Sequence, residues 1–316
     1  MFCKKFNTKF LVFYLFPFLV FSQNIVEKEI AIYSYPDSLY GSLILKSKKT
    51  LCIIHSGSGP TDRNGNNDFG IESNFLKKLA DSLSVYNISS FRFDKRGVGK
   101  SRDALISEDS LTIHSYVDDL LLWIDYFSKP PYNFKYFVLI GHSEGALIST
   151  LAAQKSKKVK KLVLLNGMGF RGDTIIKRQL SYLHESAKNI IFPIIDSLSN
   201  GKRVDNIPPI LSFLFRESVQ NYMISFLSID PAVELSKINI PILIIQGEND
   251  IQISISDANR LKSFNNEAKL KIIPNMNHIL VDAPNDKKLN VEAYRDANLP
   301  LSKELIPTIV KFVFKK

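Results

Sequence analysis

The sequence predicts an α/β fold with a mostly parallel, eight-stranded sheet and helices on both faces. Short continuous apolar runs recur along the chain, and such runs are typical of strands buried on both faces. Amphipathic helical patterns separate most of these runs, which favours parallel strands joined by crossover helices. One long interval, from about residue 168 to 235, has no convincing buried strand. We interpret that interval as a helical insertion in a single domain.

Eight segments have the apolar, β-branched-rich composition expected of strands. The first two, residues 29–35 and 42–46, are close enough in sequence to form an N-terminal hairpin. The other six strands are predicted at residues 51–55, 89–94, 135–140, 161–166, 240–246 and 268–273.

Two of the helices are predicted from apolar residues that recur with helical spacing. The first covers residues 74–85, and its apolar face consists of Phe75, Leu76, Leu79 and Leu83. The second covers residues 113–127, and its apolar face consists of Ile113, Tyr116, Val117, Leu120, Leu121, Ile124 and Phe127. The acidic residues of the second helix are expected away from that face; they are Asp118, Asp119 and Asp125.

The insertion at residues 168–235 is expected to form a cap over the ligand site. Its composition predicts several helices, interrupted by Pro193, Pro208 and Pro209. In open α/β sheets, ligands bind in the crevice beyond the carboxyl ends of the strands. Because the insertion leaves the end of a strand, we expect it to lie over that crevice.

The N-terminal segment, residues 1–22, is predicted to be a signal peptide. Three lysines, at positions 4, 5 and 9, precede an apolar run from Phe10 to Phe21. The run is shorter than the roughly 20 apolar residues that a spanning helix needs, and it contains Pro17. Cleavage is expected before Gln23, which leaves residues 23–316 as one secreted or periplasmic domain.

Charge and cysteine content exclude several classes of protein. The formal net charge is +10, but the lysines are scattered rather than gathered in one tail or stripe. A basic, solvated surface is therefore expected, and no nucleic-acid partner. Once the leader is removed, Cys52 is the one cysteine left. This excludes a disulfide framework and a cysteine metal cluster, and Cys52 is expected to be a small buried core residue.

A sharp corner at Ser143 is the strongest functional signal. The segment GHSEG, residues 141–145, follows a predicted buried strand and precedes a helical pattern. This G-x-S-x-G context is typical of a nucleophile elbow, in which a serine sits in strained geometry between a strand and a helix. Gly141 and Gly145 allow neighbouring backbone to pass close to the serine. A structural turn is the alternative interpretation of the motif.

A serine hydroxyl needs a neighbouring base to act as a nucleophile, and the chain has five histidines. His278 follows the last predicted strand, from where it can reach back across the strand ends to Ser143. We predict it as the base. The other four are interpreted as turn or core residues: His55 in another loop, His114 at a helix start, His142 pointing away from the site, and His184 in the cap.

The base in turn needs a carboxylate that fixes its tautomer and stabilises the imidazolium ion. Asp250 lies a few residues beyond a predicted strand end and is our candidate. Glu248 is nearer the strand and is interpreted as a loop carboxylate. Asp230, after the cap, is a third candidate.

An oxyanion hole requires two backbone N–H groups directed at the developing negative charge. One is expected from Glu144, directly after the nucleophile. The other is expected from the loop after the third strand, residues 55–66, where Ser58 is favoured and Gly57 is the second choice. A flexible glycine turn is the alternative interpretation of this loop.

These motifs resemble those of secreted bacterial α/β-hydrolases of the serine carboxylesterase and serine aminopeptidase-like group. The matching pieces span nearly all of the mature chain; they are SGSGPTDRNGN, FRFDKRGVGKS, IGHSEGA, PILIIQGEND and NMNH. The order Ser143, Asp250, His278 is the order found in α/β-hydrolases. The resemblance implies that Asp94 and Arg96, and likewise Asp62 and Arg63, form structural ion pairs.

The chain departs from the group at one point. Many relatives have His-Gly where this chain has Ser56 and Gly57, which affects the assignment of the oxyanion donor and leaves the triad assignment unchanged.

The sequence therefore predicts an α/β-hydrolase that cleaves small-molecule acyl esters through an acyl-enzyme, without a metal or organic cofactor. The resemblance and the expected location outside the cytoplasm imply short acyl chains. Two alternatives stay open. A peptidase or amidase could use the same residues, with Glu185, Asp196 or Glu217 of the cap holding a substrate ammonium group. An idle fold could serve as a binding module, although such a fold would be expected to have lost part of the triad.

Overall fold

The computed structural model describes residues 25–315, and the predicted signal peptide lies outside them. The strands form one eight-stranded sheet in the order β1-β2-β4-β3-β5-β6-β7-β8. β1 pairs antiparallel with β2 and β2 with β4, and every other pairing is parallel. The strands are β1 (Glu27–Ser34), β2 (Asp37–Ile44), β3 (Thr50–His55), β4 (Ser89–Phe93), β5 (Tyr136–His142), β6 (Val159–Leu165), β7 (Ile242–Gly247) and β8 (Lys269–Ile273). This sheet and its helices confirm the predicted α/β-hydrolase fold.

Helices cover both faces of the sheet. They are α1 (Phe75–Val85), α2 (Ile113–Phe127), α3 (Glu144–Lys155), α4 (Gly172–Gln179), α5 (Glu185–Ser199), α6 (Ser212–Phe215), α7 (Gln220–Leu227), α8 (Pro231–Ser236), α9 (Ile255–Phe264), α10 (Lys287–Glu292) and α11 (Leu305–Phe314). Short 3₁₀ turns lie at Gly99–Ala104, Glu108–Ser110, Pro209–Leu211, Glu217–Val219 and Ala293–Arg295. No helix within residues 25–315 is long and apolar enough to cross a membrane.

The sheet separates two hydrophobic cores, because strands covered on both faces bury successive side chains on opposite sides. One core packs Phe91, Trp123 and Phe127 against each other, with ring centroids of Phe91 and Trp123 4.5 Å apart. The other core lies under α1 and α11 and contains the Cys52 side chain, which is fully buried. Burial raises the pKa of that thiol to about 12, as expected for an inert core cysteine.

The predicted boundaries of the N-terminal hairpin were one to five residues too late. β2 begins at Asp37 rather than at residue 42, and only Tyr35 and Pro36 separate it from β1. The start of β2 has the sequence DSLYGS, whose polar and small residues hid the strand from a search for apolar runs. The strand is nevertheless held there because Ser38 lies opposite Tyr33 in the antiparallel register.

Helix α2 has the predicted bounds, but one of its acidic residues is buried. Asp119 is 2% exposed, and Arg96 donates to both of its carboxylate oxygens, with Nε at 2.8 Å from Oδ2. Trp123 is also fully buried, whereas the predicted face residue Leu121 is only half-buried. The buried face of α2 therefore includes Asp119 and Trp123, which the apolar spacing did not predict. The ion pair with Arg96 compensates for burying the Asp119 charge.

The predicted ion pairs of Asp94 with Arg96 and of Asp62 with Arg63 are wrong, because these residues have other partners. Arg63 pairs with Asp94, through Nη2 to Oδ2 at 2.7 Å and Nε to Oδ2 at 3.0 Å, and the Arg63 N–H donates to Oδ1 at 2.8 Å. Asp62 instead accepts from the N–H groups of Asn64 and Asn66. The loops after β3 and β4 lie side by side at the strand ends, so their charges pair across the loops rather than within each one.

The chain between β6 and β7 forms helices α4 to α8, which we call the cap. All of its residues are described, and none is in a strand. The cap is joined to the sheet domain through α2, where the Ile113 N–H donates to Ser225 Oγ at 3.0 Å. A second contact joins Arg216 Nε to Glu108 Oε2 at 2.8 Å. The cap thus contacts the segment that precedes α2 as well as the helix itself.

Candidate active site

The corner at Ser143 has the strained backbone that a nucleophile elbow requires. Ser143 lies between the last residue of β5 and the first of α3, with φ 54° and ψ −120°. A non-glycine residue at positive φ costs free energy and persists only where the surroundings impose it. Here the Ser143 N–H is held by Leu165 O, at the end of β6, at 2.9 Å. The strain therefore comes from the junction of two strand ends.

The two glycines of the motif are required by close backbone contacts. A Cβ on Gly141 would lie 2.2 Å from Gly145 O, and a Cβ on Gly145 would lie 2.5 Å from Ser56 O. Neither position can accept a side chain without a shift of the backbone. The packing presses β5, α3 and the loop after β3 together around Ser143, which is 8% exposed.

His278 and Asp250 form a buried pair next to this corner. His278 Nδ1 lies 2.8 Å from Asp250 Oδ2, and the Asp250 side chain is inaccessible to solvent. Asp250 Oδ1 accepts from the N–H groups of Gln252 and Ile253 at 2.8 and 2.9 Å. The carboxylate is thus fixed by backbone donors while it holds Nδ1, which leaves Nε2 of His278 as the free ring nitrogen.

The backbone of His278 is fixed by residues that flank Ser143. Its carbonyl oxygen accepts from His142 Nε2 at 2.7 Å and from Asn166 Nδ2 at 3.0 Å. Asn166 also accepts the Gly247 N–H at 2.8 Å and has a positive φ of 48°. Among the described contacts, no hydrogen bond joins Ser143 Oγ to His278. Nucleophile and base are often further apart without substrate than in the reacting complex.

The loop after β3 brings its backbone against the nucleophile. A Cβ on Gly57 would lie 3.1 Å from Ser143 Cβ and 3.3 Å from His142 Nδ1. Ser58 follows as an exposed residue, and its carbonyl oxygen accepts from Thr61 Oγ1 at 2.9 Å. On the other side, Glu144 supplies one of the first N–H groups of α3, which have no partner within the helix. The three predicted oxyanion residues therefore surround Ser143.

None of the remaining histidines is paired with a carboxylate as His278 is, among the residues that the structure describes. His55, at the end of β3, is buried, and its Nδ1 donates to Ser56 O at 2.8 Å. Burial, together with the nearby Lys95 charge, lowers the pKa of His55 to about 3. Burial and the neighbouring His278 ring also lower the pKa of His142 well below its usual value, although the bond from its Nε2 to the His278 carbonyl opposes that shift. His114 and His184 are exposed.

The alternative acids do not contact His278. Asp230 forms an ion pair with Arg260, with oxygen–nitrogen distances of 2.7 Å, and caps α8. Glu248 is exposed. The three cap carboxylates considered for a substrate ammonium, Glu185, Asp196 and Glu217, are exposed as well. Of the candidates, Asp250 is the one that the structure brings to the histidine.

A buried polar cluster beside Ser143 was missed from the sequence. It consists of Lys95, Tyr116, Glu144 and Tyr222, the last of which comes from the cap. Burial and the Glu144 charge raise the pKa of Tyr222 well above its usual range. Lys95 lies in the quoted motif DKRGVGKS, but nothing in the spacing of that motif shows which way the side chain points. Within residues 25–315, no group of three or more His, Cys, Asp or Glu could hold a metal ion.

Known proteins resemble this chain in sequence and in fold. A family described as serine aminopeptidase, S33, matches residues 68–207. Esterase EstD of Thermotoga maritima is 24% identical over 307 residues, which cover 96% of this chain and 71% of that protein.

Solved structures are similar over the whole domain. Est1E of Butyrivibrio proteoclasticus, solved with ferulic acid, has a TM-score of 0.60 at 18% identity and covers 90% of this chain and 100% of its own. The Pyrococcus furiosus esterase Pf2001 has a TM-score of 0.59 at 15% identity, with coverages of 92% and 91%. At these identities the likeness shows the fold alone.

Proposed function

We propose that this chain, an α/β-hydrolase of the esterase-like group, is a serine carboxylesterase with Ser143 as nucleophile, His278 as base and Asp250 as acid. The observation that carries the proposal is the buried pair of His278 Nδ1 and Asp250 Oδ2, 2.8 Å apart, beside a serine at φ 54°. The esterase relative, which aligns over 96% of this chain, supports the ester as the bond cleaved.

The reaction proceeds in two halves. His278 Nε2 takes the Ser143 proton as Oγ bonds to the ester carbonyl carbon, and the N–H groups of Glu144 and Ser58 stabilise the oxyanion. The C–O bond to the alcohol breaks, and His278 returns the proton to the leaving oxygen. Water then attacks the acyl-enzyme with His278 as base, which releases the acid and restores Ser143. Asp250 stabilises the imidazolium ion in both halves.

Short acyl groups are the proposed substrates. The cap contributes Tyr222, which lies close enough to the Glu144 carboxylate to feel its charge and packs against Tyr116, so we expect a polar wall there rather than a long apolar channel. Across nitrophenyl esters from acetate to decanoate, kcat/KM should be highest between acetate and butyrate. A maximum at octanoate or longer would contradict this part of the proposal.

Intact mass after treatment with a fluorophosphonate tests the nucleophile. One adduct is expected on the wild-type chain and none on Ser143→Ala. Ser149→Ala, a buried serine of the same helix α3, is the matched control and should label like the wild type. A folded wild-type chain that neither labels nor hydrolyses any ester would favour the binding-module alternative.

An aminopeptidase is the second candidate, because the matching family is described as serine aminopeptidase. The exposed cap carboxylates argue against a buried ammonium site. Turnover of aminoacyl anilides should be at least 100-fold slower than turnover of matched esters, and equal rates would overturn the preference for esters.

We also propose that residues 1–22 direct export and are removed, on the lysines and the apolar run of the leader. N-terminal sequencing of the exported protein should start at Gln23. A protein that retains Met1 and stays inside the cell would contradict this proposal.

A further inference from the structure

Lys95 is a buried lysine that directly follows the loop residue Asp94, and the proposed mechanism does not use it. Its side chain is 1% exposed. The ammonium group donates to the carbonyl oxygen of Gly57 and, at 2.9 Å, to that of Gly59. Both acceptors belong to the loop after β3, so a residue of the β4 loop holds two peptide groups of the neighbouring loop.

We propose that Lys95 is a positioning residue that sets the N–H group of Ser58 as the second oxyanion donor. The inference rests on the esterase mechanism proposed above.

The planarity of the peptide unit links the lysine to that N–H group. In a trans peptide, the C=O of one residue and the N–H of the next point in opposite directions. Because the Gly57 carbonyl points at Lys95, the Ser58 N–H points away from it. The second peptide that Lys95 holds joins Gly59 to Pro60, which has no N–H. Of the two held peptides, only the first can therefore donate to a substrate.

The held peptide lies beside the nucleophile. Gly57 is close enough to Ser143 that an added Cβ would come within 3.1 Å of Ser143 Cβ. The Ser58 N–H has no acceptor among residues 25–315. An N–H group without an acceptor, on a peptide next to the attacking oxygen, is what an oxyanion hole requires.

The charge of Lys95 strengthens the same donor. Hydrogen bonding of a peptide carbonyl to a cation polarises the peptide and makes its N–H a better donor. Three titratable groups face the ammonium: Glu144 of α3, Tyr116 of α2 and His55 of β3. The Tyr116 ring centroid is 5.3 Å from Nζ, and Tyr222 of α7 packs against Tyr116. Burial lowers the pKa of Lys95 to about 8, and the Glu144 carboxylate opposes that shift.

The test compares Lys95→Met and Lys95→Gln with the wild type on a short-chain ester and on a matched trifluoromethyl ketone, which binds as a tetrahedral oxyanion. We expect Lys95→Met to lower kcat by about 100-fold, as for loss of an oxyanion donor, with KM changed less than threefold. The ketone should bind more weakly by a similar factor. Lys95→Gln, which can still donate to carbonyls, should recover at least tenfold of the loss in kcat.

The pH profile gives a readout that a merely structural role would not change. In the wild type, kcat should fall with an ionisation near pH 8 as Lys95 loses its proton, and this limb should be absent in Lys95→Gln. Lys100→Met, a variant of an exposed lysine in the same loop, is the matched control and should have wild-type kinetics.

Each outcome decides between the proposals. A folded Lys95→Met with kcat and ketone affinity within threefold of the wild type overturns the positioning role alone. Equal losses in Lys95→Met and Lys95→Gln, with lowered thermal stability and an unchanged alkaline limb, also overturn it. Absence of ester turnover by the wild type contradicts the proposed function and, with it, this inference.

Discussion

The two sides of the candidate site are held in different ways. On the base side, Asp250 and the His278 backbone are fixed by neutral donors: the N–H groups of Gln252 and Ile253, the amide of Asn166 and the ring of His142. On the oxyanion side, a buried cation, Lys95, holds the loop after β3. The base side holds the Asp250 carboxylate in a fixed position. The oxyanion side depends on the charge of Lys95, whose pKa burial lowers to about 8.

The difference follows from what each side would do in the proposed esterase mechanism. The imidazole must be held in one tautomer, and a carboxylate fixed by backbone N–H groups achieves this without a further charge nearby. The loop after β3 must instead direct its N–H groups at the substrate. Its carbonyl groups then point the opposite way, into the protein, and need buried donors there. A lysine that reaches two carbonyls supplies those donors from one side chain.

Asp250→Asn breaks the base side and should have the largest effect. Without the carboxylate, His278 loses both its fixed tautomer and the stabilisation of its imidazolium form, so kcat should fall by about 10⁴-fold. Steady-state kinetics on a short-chain ester measure the loss. Glu248→Gln, the exposed carboxylate at the start of the same loop, is the control and should stay within twofold of the wild type. A folded Asp250→Asn that keeps a tenth of the activity would contradict the assignment.

Arg63→Met removes the ion pair at the far end of the oxyanion loop. Asp94 would then be a buried carboxylate without its main cation, which should cost about 3–5 kcal/mol in the free energy of unfolding. Urea denaturation measures it. The control, Lys100→Met, breaks the exposed pair with Glu29 and should cost about 0–1 kcal/mol. Equal losses in the two variants would show that burial does not distinguish these ion pairs.

The buried histidine on the oxyanion side should make the protein sensitive to acid. The pKa of His55 is lowered to about 3, below the unfolded value of 6.5, so the unfolded chain binds more protons between these values. The stabilisation is complete above pH 6.5 and is lost as the pH falls towards 3, by about 1.4 kcal/mol per pH unit.

The measurement is urea denaturation of the wild type and His55→Gln at pH 6.5 and 4.5. The variant should lose about 2 kcal/mol less than the wild type between these two pH values. Exposed His114→Gln should follow the wild type. Parallel curves for the wild type and His55→Gln would show that His55 is protonated in the folded state.

The smallest effect is expected at the cap surface. Arg216→Ala removes a half-exposed pair with Glu108, and the free energy of unfolding should fall by less than about 1 kcal/mol. Thermal denaturation and kcat, measured together, check this. A loss of kcat beyond tenfold would show instead that this contact holds the cap in its working position over the site.

Local patterns predicted most of the fold and the residues of the base side. Continuous apolar runs predicted the parallel strands, because a strand that is buried on both faces has apolar residues at successive positions rather than at every second one. Ser143 was predicted because the glycine spacing of the elbow is itself a consequence of close backbone contacts, which the structure shows at Gly141 and Gly145. His278 and Asp250 were predicted because each follows a strand end, and parallel strand ends meet at one edge.

The sequence by itself therefore determined the features that depend on neighbouring residues: strand and helix periodicity, the corner at Ser143 and the position of each loop after its strand. Only the tertiary structure decided which charges meet. Arg63 pairs with Asp94 because two loops lie side by side, and Asp119 of α2 pairs with Arg96 of the loop after β4. Lys95 turns inwards to the carbonyls of another loop. These partners are 23 to 38 residues apart in sequence. No local pattern specifies such pairs, since the direction of a long charged side chain is set by the donors and acceptors that folding brings to it.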